Sequence, residues 1–223
     1  MPENTSTVIP PGKTYSLAVQ MVSQRVIERL AIYRRILENL LPDKEPAIFS
    51  HQLADLAGTT AAQVRQDLRV IGYAGSTRSG YQVARLLKGI DDFFSLSETE
   101  PTVLVGVGNL GMALITYFSL RNSRPDIVAA FDTDPEKVGK VYHGCRCFSM
   151  DELNQIVKEQ YVRIGIIAVP TDAAQETADS LAAAGIRGIL NFAPVTLRGN
   201  HGIFIENIDL TLALEKVAFF SKQ

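Results

Sequence analysis

The residues with the clearest chemistry are Val103-Leu104-Val105-Gly106-Val107-Gly108-Asn109-Leu110-Gly111. An apolar run leads into G-x-G-x-x-G, and a helical pattern follows. In that setting each glycine has its own task. Gly106 allows a tight turn, Gly108 lets a pyrophosphate approach the backbone, and Gly111 lets helix and strand pack closely. Asn109 and Leu110 open a helix whose free N–H groups and positive dipole end suit phosphate. Asp132 ends the next apolar run, Ile127–Phe131, 21 positions after Gly111. A carboxylate there accepts hydrogen bonds from ribose hydroxyls and repels a 2′-phosphate, which favours NAD(H) over NADP(H). Its other reading is a loop-capping aspartate. Thr133 and Lys137 join the candidate cofactor set beside it. Val169-Pro170 and Asn191-Phe192-Ala193 sit at the carboxyl ends of two later apolar runs. Ligands bind at such ends in open α/β sheets, although an ordinary strand-to-helix turn is the alternative.

A second chemistry belongs to the first half of the chain. Ser50 to Gly58 reads as a helix, and Thr60-Ala61-Ala62-Gln63 has the spacing of a reciprocal capping box opening another. Helix, glycine turn, helix is the helix-turn-helix arrangement, whose second helix leads into the major groove. That helix offers Gln63, Arg65, Gln66 and Arg69, side chains able to reach base edges or phosphates. Gly72 to Tyr81 reads as a hairpin wing with a glycine-rich tip, carrying Ser76, Arg78 and Tyr81, and a tip arginine suits a minor groove. Charge supports an anionic partner here. Residues 25–88 hold ten Lys/Arg against six Asp/Glu, whereas residues 96–223 hold eleven against fifteen. The plainer alternative is a small helical packing or dimerisation domain.

These residues need elements to hold them. The chain has 223 residues, 46% hydrophobic and 21% charged, with a net charge of −2, as expected for a globular protein with a sizeable core. Residues 1–20 are polar with Pro and Gly and read as a flexible extension. Residues 21–95 form the expected winged helix-turn-helix domain, and the polar stretch Ser95–Pro101 marks a boundary. Residues 101–207 alternate apolar strands and helices, an α/β pattern expected of a Rossmann-like parallel sheet. Strands are expected at Thr102–Val107, Ile127–Phe131, Arg146–Phe148, Arg163–Val169, Gly188–Asn191 and Ile203–Glu206. Residues 208–223 form a last helix, apolar almost all round, that must be covered by something; a partner subunit is one cover, the same chain the other. No apolar run approaches the about 20 residues of a membrane span, and no signal peptide opens the chain, so a cytoplasmic protein is expected. Cys145 and Cys147 read as reduced thiols near a strand. The three histidines form no acid–base pair at the cofactor edge, and there is no nucleophile elbow, Tyr-x-x-x-Lys or metal cluster. No metal and no catalytic residue is therefore expected.

Taken together, these stretches resemble the Rex redox-sensing transcriptional repressors. The resemblance is carried by Val64-Arg65-Gln66-Asp67-Leu68, Gly80-Tyr81, Gly106 to Gly111, Ala130 to Gly139, Ala184 to Pro194 and Glu206 to Leu210. It implies a homodimer with the last helix exchanged between subunits, binding palindromic, AT-rich operator DNA. It implies release by NADH, with NAD⁺ competing but favouring the DNA-bound form. It places Tyr117 and Asp209 at the nicotinamide region, with Arg35 of the other subunit as ionic partner of Asp209. The DNA-reading part departs from the family: Gln66 stands where lysine is usual, Arg69-Val70-Ile71-Gly72 replaces Ser-Tyr-Phe-Gly, and the wing arginine is displaced by one position to Arg78. A small NAD-dependent oxidoreductase and a coenzyme A-binding module are the alternatives.

Overall fold

The computed structural model describes residues 22–41, 47–73, 79–94, 100–120, 126–199 and 202–222. The extension 1–20, Ser76, Arg78 and the boundary residues 95–99 lie outside them. The chain divides into two units, Met1–Ser97 and Glu98–Gln223.

In the N-terminal unit, α1 (Gln24–Leu40) buries Leu30, Tyr33 and Leu37 along one stripe. It packs with α2 (Ser50–Ala57), α3 (Ala61–Val70) and α4 (Val83–Phe94) around Leu53, Val64, Leu68, Leu86 and Ile90. Gly58, left-handed at φ 64°, ends α2 and makes the turn into α3. Two short strands complete the unit. β1 (Ala47–Ile48) pairs antiparallel with β2 (Tyr81–Gln82), placing Ile48 opposite Tyr81. The described end of the expected wing therefore pairs with the segment before α2.

The C-terminal unit is a seven-stranded sheet in the order β5-β6-β4-β3-β7-β8-β9. Its strands are β3 (Pro101–Val105), β4 (Asp126–Asp132), β5 (Val141–Tyr142), β6 (Cys145–Ser149), β7 (Ile164–Ile167), β8 (Gly188–Asn191) and β9 (Phe204–Asn207). All neighbours run parallel except β5, which folds back on β6 and was not expected from the sequence. Helices α5 (Asn109–Leu120), α6 (Leu153–Glu159) and α7 (Thr171–Ala184) cover the sheet. Val103, Val105 and Phe131 point to one face and Leu104 and Ala130 to the other, so both faces are buried and the strands read as continuous apolar runs. The order reverses between β3 and β7, which opens a crevice at their carboxyl ends. The last helix, α8 (Leu210–Phe220), has no buried residue.

Candidate functional site

The crevice is built from the glycine loop upward. Gly106 sits at φ 98°, and a Cβ there would lie 2.5 Å from the Ala168 carbonyl oxygen. A Cβ on Gly111 would overlap the Gly106 carbonyl oxygen, so α5 can start against β3 only with glycine. At Gly108 the same construction meets nothing within 4 Å, leaving open space above the turn. The cleft, about 560 Å³, is lined by Gly106, Gly108, Asp132, Thr133, Lys137, Val169 and Pro170 of the expected set. The sequence reading missed Ala173, Glu176, Thr177 and Ser180 of α7, which line it too; their spacing of one helical face was the available signal.

Asp132 is the electrostatic centre of the cleft. Its Oδ2 accepts the Val107 N–H at 2.8 Å and the Lys137 Nζ at 3.1 Å, while Oδ1 accepts the Asp134 N–H at 2.9 Å. Burial works to raise its pKa, but the bonds from Asp134, Lys137 and Val107 outweigh it and hold the carboxyl below the usual range. Asp132 is therefore ionised at neutral pH, and Oδ1 keeps a lone pair for a ribose hydroxyl. The bond to Val107 also braces the glycine loop, so the carboxylate shapes that turn as well as the cleft floor. With Asp134 and Glu176 beside it and Lys137 as the cation, the cleft is net acidic, unfavourable for a 2′- or 3′-phosphate.

Not every expected residue reaches this cleft. The side chain of Asn191 is fully buried and serves its own loop. Its Nδ2 donates to the Val195 carbonyl at 2.8 Å and to Asn207 Oδ1 at 2.9 Å, and its Oδ1 accepts the Ala193 N–H at 3.0 Å. Ala193 is buried and Phe192, partly buried, packs on the core, so the hydrogen bonds of the Asn191 side chain hold the loop between β8 and β9 together. Asn109 and Leu110 stand exposed at the start of α5, with Tyr117 half-exposed further along and edge-on to Phe118. Asp209 caps α8, accepting the Leu212 N–H at 2.9 Å. Arg35 is exposed on α1 of the N-terminal unit.

On α3, Arg65, Gln66 and Arg69 form one exposed face. The Arg65 Nη1 donates to Ser50 Oγ at 3.1 Å, tying this face to the start of α2. Thr60 Oγ1 accepts the Gln63 N–H, half of the expected capping box. The other half is absent, because Gln63 donates its side-chain amide to Asp67 instead. Tyr81 departs from the expectation of an exposed wing residue: it is 7% exposed and its ring lies 6.0 Å from that of Tyr73, packed in the core of this unit. Cys145 and Cys147 are buried free thiols, and burial pushes Cys145 up to about 12, which leaves it inert. Among the described residues no cluster of His, Cys, Asp or Glu could hold a metal, and no helix is long and apolar enough to cross a membrane.

Fold and cleft define a class: a dinucleotide-type domain carried on one chain with a helix-turn-helix, a ligand-responsive DNA-binding protein. Comparison with known proteins agrees. A family model described as CoA binding domain matches residues 97–195, and one described as putative DNA-binding protein N-terminus matches residues 21–68. The redox-sensing transcriptional repressor Rex of Syntrophobacter fumaroxidans is 40% identical over 199 residues, covering 89% of this chain and 95% of its own. Rex of Roseiflexus sp. is 38% identical over 195 residues, covering 87% and 89%. The crystal structure of RSP with β-NAD⁺ and operator DNA superposes with a TM-score of 0.84 at 34% identity, over 90% of this chain and 93% of that one. RSP with β-NADH superposes with a TM-score of 0.79 at 34% identity, over 90% and 94%. The chain belongs to the Rex family of redox-sensing transcriptional repressors. Its relatives are named repressors, not enzymes, which sets the oxidoreductase alternative aside.

Proposed function

We propose that this protein represses transcription by binding operator DNA, and that NADH in the β3–α5 cleft lowers that affinity while NAD⁺ competes and favours the bound form. The observation that carries the reading is the ionised Asp132 at the ribose position beneath an open glycine turn, on a chain whose α3 presents Arg65 and Arg69 to solvent. The acidic cleft favours NADH over NADPH and over coenzyme A, although the matching model is named for the latter. The α3 face reads the major groove of a palindromic, AT-rich operator, with Gln66 in place of a cation.

The functional unit is a homodimer in the cytoplasm. Six apolar side chains of α8, between Leu210 and Phe220, are 53–68% exposed, more than a lone chain leaves to water, and exchange with a second copy covers them. Asp209 at the start of α8, Tyr117 on α5 and Arg35 of the other subunit form the switch, an ion pair biased by the nicotinamide.

Fluorescence anisotropy of the dimer on a palindromic AT-rich duplex, titrated with NADH and then NAD⁺, tests this. Release by NADH and retention with NAD⁺ is expected. Tight DNA binding indifferent to both would refute the sensor, and thermal stabilisation by coenzyme A but not NADH would refute the ligand.

A further inference from the structure

The N-terminal unit holds a buried polar cluster that operator binding as described does not use. The side chain of Asp67, on α3, is 0% exposed. It accepts a forked pair from Arg29 of α1, Nε to Oδ2 at 2.7 Å and Nη2 to Oδ1 at 2.8 Å. The Tyr33 hydroxyl donates to Oδ2 at 2.9 Å, and Gln63 Nε2 donates to Oδ1 at 2.8 Å. A buried carboxylate is tolerated only when it is paired and bonded in this way. α1 is also tied to α4, Arg34 Nε donating to Asp91 Oδ1 at 2.7 Å, so the donors come from a braced helix.

The chemistry of that contact dictates how the Gln63 amide lies. An ionised carboxylate only accepts, so the amide must turn its NH₂ toward Asp67 and its carbonyl away. Burial works to raise the Asp67 pKa, but the bonds from Arg29, Gln63 and Tyr33 outweigh it, and the group stays ionised. Gln63 lies in the first turn of α3, the part of a recognition helix that leads into the groove. One amide proton goes to Asp67, leaving Oε1 and the second proton. That pair matches adenine, which offers N6–H₂ as donor and N7 as acceptor on its major-groove edge. Guanine presents two acceptors there and would face the carbonyl oxygen with another oxygen.

We propose that Asp67 is a specificity-positioning residue: it holds the Gln63 amide with its carbonyl outward, so that Gln63 reads adenine and rejects guanine in the operator. This rests on the operator-binding reading above.

The test uses the full chain. Wild type and Gln63→Ala each select sequences from a random duplex library, and the position where Gln63→Ala relaxes the preference is identified. Anisotropy then compares adenine, unsubstituted purine and guanine at that position in the best duplex. Wild type is expected to bind the purine duplex about tenfold more weakly than the adenine one, and guanine more weakly still, while Gln63→Ala binds all three alike. Asp67→Asn is expected to lose the same discrimination with NADH affinity unchanged. The three-base comparison on wild type needs no buried variant, so it can overturn the proposal even if Asp67→Asn does not fold, and a folded Asp67→Asn that keeps the discrimination overturns it too. A wild type that selects a sequence, with no position relaxed by Gln63→Ala or with guanine accepted at that position, overturns the proposal and leaves operator binding standing. A wild type that selects nothing overturns both.

Discussion

Replacing Asp132 with asparagine removes one charge from the cleft with almost no change of volume. Two effects should separate. A hydrogen bond to a charged acceptor is worth about 1.5–3 kcal/mol, so losing the carboxylate at the ribose costs NADH about 10- to 150-fold in affinity. For NADPH the same charge is repulsive. At roughly 4 Å and an effective dielectric near 20, two unit charges interact with about 4 kcal/mol. Lys137, 3.1 Å from Oδ2, offsets part of that. Removing a net repulsion of about 1–2 kcal/mol should raise NADPH affinity by about 5- to 30-fold, and this narrows the preference for NADH beyond the NADH loss itself. Asparagine keeps one oxygen for the Val107 N–H, but its NH₂ then faces the Asp134 N–H, so some loosening of the glycine loop adds to the loss. The assay is calorimetric titration of wild type and Asp132→Asn with NADH and NADPH, alongside thermal unfolding without ligand. NADH affinity within about threefold of wild type, with NADPH as poor as before, would refute the ribose role.

Acid should unfold the protein in a defined window. Asp67 and Asp132 are both held below the usual carboxylate range when folded. Their contribution is therefore present above the unfolded value near ~3.9 and lost as pH falls through the depressed folded values. Urea midpoints measured downward from neutral pH should fall in that window, and less steeply in Asp132→Asn; a flat profile would contradict the hydrogen-bonded carboxylates. Arg65→Ala should weaken operator binding and reduce the salt slope by about one, with NADH binding intact; loss of both would point to misfolding instead. Leu214→Glu with Phe219→Glu should leave a folded monomer by light scattering and circular dichroism, and a persisting dimer would remove α8 from the interface.

Much of the cleft was readable because its signals are local. Gly106 and Gly111 are demanded by backbone geometry within one turn, and Asp132 is placed by the length of one strand-helix-strand unit. The parallel sheet showed in uninterrupted apolar runs, since strands covered on both faces carry no alternation. β5 was invisible because two residues carry no period. The pairing of β1 with β2 joins Ala47 to Gln82, across two helices, and no window of sequence holds both.

By itself, then, the sequence determined the two kinds of domain, the glycine turn, the acid at the end of β4 and the exposed cations of α3. Each depends on backbone period or on neighbours a few positions away. The tertiary structure alone decided which polar groups meet. Thr60 and Gln63 have the spacing of a full capping box, yet the Gln63 amide goes to Asp67, because packing α1 against α3 buries that carboxylate beside it. Tyr81, at the end of the expected wing, turns its side chain into the core, and the Asn191 side chain is taken up by its own loop. A side chain's partner is settled by competition among donors and acceptors that long-range packing brings together, and local spacing carries no record of it.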